Sequence, residues 1–143
     1  MKSLFFFLVR LAIAALFIYS GVVKALDPAH FMAQMESFNI LDYFMIFTIA
    51  HVLPMIEIIC GILLLTMKYT CSASVILILL SGVFILVLTT LKAMGLEVDC
   101  GCFGDWKFLG GYSSHITFDI AIIVFLVAHT VRSAKLQFLL EKE

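Results

Sequence analysis

The sequence predicts an all-α integral membrane protein, a bundle of four helices with both termini in the cytoplasm. Three observations predict it. Of 143 residues, 64% are apolar and only 13% are charged, whereas a soluble domain has about a quarter charged residues. Mean hydropathy is +1.17. The apolar residues gather into four continuous runs, each close to the about 20 residues that cross a bilayer. The runs do not alternate, so a membrane β-barrel is excluded. The length allows one domain, residues 1–143, and leaves no room for a separate soluble activity. A net charge of −1 supplies no field for nucleic acid.

The first span is expected at 3–23, with Arg10 its one charge. Arg10 interrupts the apolar run and no clean small-residue cleavage site follows, so a membrane span is expected here rather than a signal peptide. Lys24 and Asp27-Pro28 close it, because the residue before a proline is pushed out of the helical region. An outer loop follows at 24–42. The second span, 43–67, contains His51, Pro54 and Glu57, and Glu57 and Gly61 share a face. The third, 69–91, is uncharged. A second outer loop, 92–111, leads to the fourth span at 112–131, where His115 and Asp119 share a face. Ala14, Ser20, Gly21, Gly61, Ser81 and Gly82 are small enough to allow close helix approach.

Orientation follows from the cations. Lys2, Lys68, Arg132, Lys135 and Lys142 lie at the termini and the turn between spans two and three, while the other loops mix lysines with acids. Positive residues stay inside. The two longer loops therefore face outward, which in a bacterial inner membrane means the periplasm, where thiols become oxidised.

Four cysteines occur. Cys60 and Cys71 are isolated and read as small apolar filler. Cys100 and Cys102 differ, standing in Asp99-Cys-Gly-Cys-Phe-Gly104 on the second outer loop. Two cysteines one residue apart can close only a tight ring, and glycines supply the backbone freedom that needs. A strained or exposed disulfide is labile and oxidising, and so short a loop constrains the chain little. Redox exchange is therefore favoured over stapling. A metal site would need further ligands, with His115 and His30 as candidates, and the spacing does not support one.

Ionisable groups inside a membrane are costly and tend to be paired or functional. Counting rise along each helix places Arg10 about 10 Å and Glu57 about 15 Å from the cytoplasmic surface, so an Arg10–Glu57 ion pair is expected. Asp119 is expected to orient His115, and His115 or Lys24 to favour the thiolate of the cysteine pair. Glu57, Arg10, Asp119 and His51 are the candidates to line a carrier site, placed in the outer half between spans one, two and four.

The motifs together resemble a family. Arg10, then Gly21-Val-Val-Lys24-Ala-Leu-Asp27-Pro28, looks like the opening of DoxX-like membrane proteins. Pro54-x-x-Glu57-x-x-x-Gly61 and the Asp-Cys-Gly-Cys-Phe-Gly loop resemble the methylamine-utilisation MauE branch of that group. The resemblance implies a redox-associated inner-membrane protein that works with a periplasmic thioredoxin-like partner in maturing disulfide-containing proteins. The expected function is a thiol–disulfide oxidoreductase component using Cys100 and Cys102, with membrane lipid and further copies of the chain as other neighbours. A membrane quinone is the carrier this reading allows. The competing readings are an assembly factor whose cysteine pair only stabilises a docking loop, a Cys/His metal site, and a transporter, which the lack of an internal repeat weakens.

Overall fold

The computed structural model describes residues 2–37, 41–66, 69–95 and 112–140, with side chains described for 4–37, 41–66, 69–95 and 116–132. The described residues form five α-helices and no strand: α1 (Lys2–Leu26), α2 (Pro28–Glu36), α3 (Tyr43–Leu65), α4 (Thr70–Ala93) and α5 (Tyr112–Leu140). Among them α1, α3 and α4 are long and apolar enough to cross a membrane. In lipid a helix satisfies every backbone group internally, which is why these uninterrupted apolar runs take that form.

The stretch 24–42, expected as a loop, contains the end of α1 and all of α2. The chain does break at Asp27-Pro28, but it restarts at once. Asp27 Oδ1 accepts from the His30 backbone N–H at 3.0 Å, and Pro28 occupies the first helical position, where no N–H is needed. Phe31 and Met35 of α2 then bury against Ile46 and Ala50 of α3. This packing stabilises a helix too short to persist alone.

Two glycines set the register of α1 against α3. A Cβ on Gly21 would lie 2.8 Å from the Pro54 carbonyl oxygen, and one on Gly61 would lie 3.1 Å from the Ala14 carbonyl oxygen. Rising numbers on α1 thus meet falling numbers on α3, and the helices run antiparallel at backbone contact. The residues near the end of α1 lie level with the middle of α3. Alongside the first half of α3, the space is taken by α2.

Beyond Thr66 the chain returns as α4 from Thr70. Thr66 closes α3 through its backbone N–H and its hydroxyl, both donated to the Leu63 carbonyl. At the far end, Gly95 takes φ 76° and donates to the Lys92 carbonyl at 3.0 Å, a left-handed stop that suits glycine. The central core joins Ile13, Ala14 and Phe17 of α1 to Cys60 and Leu64 of α3, Leu77 of α4, and Ile122 and Leu126 of α5. Elsewhere the long helices expose Leu, Ile, Val, Met and Phe side chains, as helices that face hydrocarbon do.

A buried ion triad and an apolar cavity

The register set by the glycines brings Lys24 to Glu57. Both are buried, at 3% and 1% exposure. Lys24 Nζ donates to Glu57 Oε1 at 2.6 Å, to Glu57 Oε2 at 2.9 Å and to Ser20 Oγ at 2.9 Å. Those three acceptors use all three ammonium hydrogens. The Ser20 hydroxyl, having accepted from Lys24, donates to Glu57 Oε2 at 3.3 Å. Ser20 stands one helical turn before Lys24, so both project from one face of α1. Two aromatic rings complete the enclosure. Lys24 Nζ lies 5.6 Å from the Phe31 ring centre and 5.1 Å from that of Phe84, within the range of cation–π attraction.

The expected Arg10–Glu57 pair is therefore replaced by Lys24–Glu57. The depth of Glu57 is consistent with the count, since it lies eight residues from Leu65, or about 12 Å. The sequence placed Lys24 at the start of the outer loop, where it was expected to favour the thiolate of the cysteine pair. Because α1 ends level with the middle of α3, Lys24 is carried inward to the level of Glu57. Ser20 was visible in the sequence only as a small residue. Its spacing of four from Lys24 was the signal for its polar role.

The other expected residues are placed as follows. Arg10 is buried on the face of α1 that carries Ile13 and Ala14, and its guanidinium lies 5.5 Å from the Phe7 ring centre. Asp119 is buried on the face of α5 that carries Ile122 and Leu126. His51 sits on the exposed face of α3, with Nδ1 2.8 Å from the Phe47 carbonyl oxygen and its ring 4.4 Å from that of Phe47. It does not share the buried face of Glu57. Cys100 and Cys102 lie outside the described residues, as does the side chain of His115. Cys60 is buried in the core and Cys71 is half-buried near the start of α4. Among the described residues no group of His, Cys, Asp and Glu could hold a metal ion.

A cavity of about 230 Å³ opens between α2, α3 and α4. It lies on a different flank from the pocket expected between the first, second and fourth spans. Phe31 and Phe84 line it, so the two rings that cover the Lys24 ammonium also wall the cavity. Gln34 is the polar side chain among its lining residues, the rest being Leu, Ile, Val, Met and Phe.

The family model described as methylamine utilisation protein MauE matches residues 2–132. No curated protein and no solved structure matches the chain. The match runs across all five helices, and the chain belongs to the MauE family of membrane proteins.

Proposed function

We propose that this chain is the membrane component of a thiol–disulfide exchange system that matures disulfide-containing proteins in the periplasm, with Cys100 and Cys102 as the exchanging pair. The observation that carries the reading is the Asp99-Cys-Gly-Cys-Phe-Gly104 sequence, joining α4 to α5 in a member of this family. The family's description supplies methylamine utilisation as one setting for such maturation, and the chemistry itself is not tied to that substrate.

The exchange balances as follows. A thiolate of a thioredoxin-like partner attacks one sulfur of the Cys100–Cys102 disulfide, breaking that S–S bond and forming a mixed disulfide. The partner's second thiolate then displaces the bound sulfur. The partner leaves as a disulfide, and Cys100 and Cys102 are left as two thiols, having gained two electrons and two protons. A membrane quinone resets the pair. It takes up the two electrons and two protons, becoming a quinol, as the two sulfurs rejoin. In this reading α1, α3, α4 and α5 all cross the bacterial inner membrane and both termini are cytoplasmic. The segment 96–111 then faces the oxidising compartment. His115, one turn from Asp119 on α5, is the base that favours the thiolate.

The test is thiol trapping in native membranes equilibrated across a series of redox buffers. A reversible two-electron transition of the Cys100/Cys102 pair is expected, and Cys100→Ser or Cys102→Ser should accumulate a mixed disulfide with a thioredoxin-like protein. A pair that stays oxidised and unreactive in every buffer overturns the exchange reading in favour of an assembly factor with a stapled docking loop.

A further inference from the structure

We infer that the first turns of α1 and the facing turns of α5 bind the head group of an anionic phospholipid, with its phosphate on Arg132 and with His129 and Arg10 behind it. The inference is independent of the exchange reading. It needs only a membrane protein and the charges on these two helices.

The sequence sets an aromatic and a basic residue four apart on each helix. Phe6 and Arg10 share a face of α1, and Phe125 and His129 share a face of α5. The two faces meet. The Phe6 and Phe125 rings stack with centres 5.5 Å apart and planes 28° apart. The Phe125 and His129 ring centres are 6.2 Å apart. Arg132, three residues beyond His129, holds its guanidinium 4.8 Å from the centre of the Phe6 ring, a cation–π distance. Because α5 packs chiefly against α4, side chains rather than close backbones join it to α1 here.

This stack collects positive charge. Arg10 and Arg132 both lie within Coulombic range of His129, and among the described residues no carboxylate acts on that ring with them. Both guanidinium groups stay charged. Arg10 is 6% exposed, and salt screens a buried charge little. His129 Nδ1 is buried with no hydrogen-bond partner among the described residues, and an unpaired polar atom in an apolar bundle is costly. An anion with several oxygens answers both conditions. It relieves the crowding of like charges, and a turn of the half-buried imidazole brings its unpaired nitrogen to one of those oxygens. Phosphate also matches the fork of a guanidinium. Arg132 is exposed and makes that contact at the surface, while Arg10 acts through its field from beneath.

The surroundings name the source of the phosphate. The same turns expose Leu8 and Val131, side chains suited to hydrocarbon. A free phosphate gains nothing from them, whereas the acyl chains of a phospholipid lie against them. Basic pockets between membrane helices hold anionic head groups in this way.

The experiment uses the full-length chain, delipidated in detergent, with bound lipid counted by native mass spectrometry. Phosphatidylglycerol and phosphatidylcholine of identical acyl chains are the probes. Phosphatidylglycerol is expected to bind about tenfold tighter, with a preference that shrinks as salt rises. Arg132→Gln, at an exposed position where folding is not at stake, should remove most of that preference and leave phosphatidylcholine binding unchanged. His129→Phe keeps the ring stack and should weaken phosphatidylglycerol about threefold. Lys92→Gln removes an equal charge from the last turn of α4 and should bind like the parent. Equal binding of the two lipids overturns the site, as does an Arg132→Gln protein that keeps the full preference. A loss as large in Lys92→Gln reduces the effect to net charge and overturns it as well. Displacement of phosphatidylglycerol by inorganic phosphate at matched ionic strength would make this a site for the free anion and overturn the lipid.

Discussion

Lys24 and Glu57 form a neutral, fully hydrogen-bonded pair with both side chains 2% exposed. Taking two charges out of water is expensive, and their attraction repays it only when the geometry is good and the remaining hydrogens are satisfied. Here Ser20 and the two phenylalanine rings complete that shell. Removing one partner leaves the other charge stranded. Lys24→Met and Glu57→Met should each lose about 3–5 kcal/mol of stability, read as the midpoint of unfolding in mixed detergent. The double Lys24→Met/Glu57→Met variant, with two apolar side chains of similar length, should regain most of that loss. Ser20→Ala removes one neutral partner and should cost only about 1 kcal/mol. Single variants as stable as the parent would mean that the pair is solvated rather than sealed.

At the scale of the helix, what aligns that pair is the contact between α1 and α3. A Cβ at position 21 would meet a backbone oxygen, the Pro54 carbonyl, at 2.8 Å, whereas at position 61 its nearest contact is the side-chain Cγ1 of Ile18 at 2.6 Å. A side chain can turn away more cheaply than a backbone can shift. Gly21→Ala should therefore cost more than Gly61→Ala, within the about 1–3 kcal/mol typical of overpacking. Gly82 has nothing within 4 Å of the same virtual atom, so Gly82→Ala should be neutral or gain up to about 1 kcal/mol from helix propensity. Unfolding midpoints of the three variants test that ranking. These contacts also show what was legible from residue order. The limits of α1, α3 and α4 were within three residues of those expected, because length and hydrophobicity are imposed by the bilayer itself. α2 was missed because its nine residues carry no long apolar run. Its helicity comes from Phe31 and Met35 meeting Ile46 and Ala50, contacts between positions remote in sequence. Its Asp-Pro start was in view but read only as a stop. Lys24 and Glu57 were each singled out, yet not as partners, because counting depth from shared end planes assumes helices that start level.

Over the whole molecule, the antiparallel helices sort the chemistry by end. The end of α3 and the start of α4 lie at one end of the bundle, and α2 with the end of α4 lies at the other. The cavity and α2 therefore lie toward the end of the bundle from which the chain leaves α4, while the termini are expected to stay at the opposite end. Which side faces outward decides whether the cysteine pair meets an oxidising compartment. Lys68 at the turn, with Lys2 and Arg132 near the termini, favours the cytoplasm for that end through the positive-inside preference. Exposed positions allow a direct test: Thr66 at the turn and Met94 at the end of α4. In a background with the native cysteines replaced by serine, Met94→Cys in spheroplasts should react with a membrane-impermeant maleimide. Thr66→Cys should react only after the membrane is opened. The reverse pattern would invert the bundle and place Cys100 and Cys102 in the reducing cytoplasm. There a labile disulfide has no oxidising surroundings to maintain it, and the proposed exchange would lose its compartment even with the ion triad and the cavity unchanged.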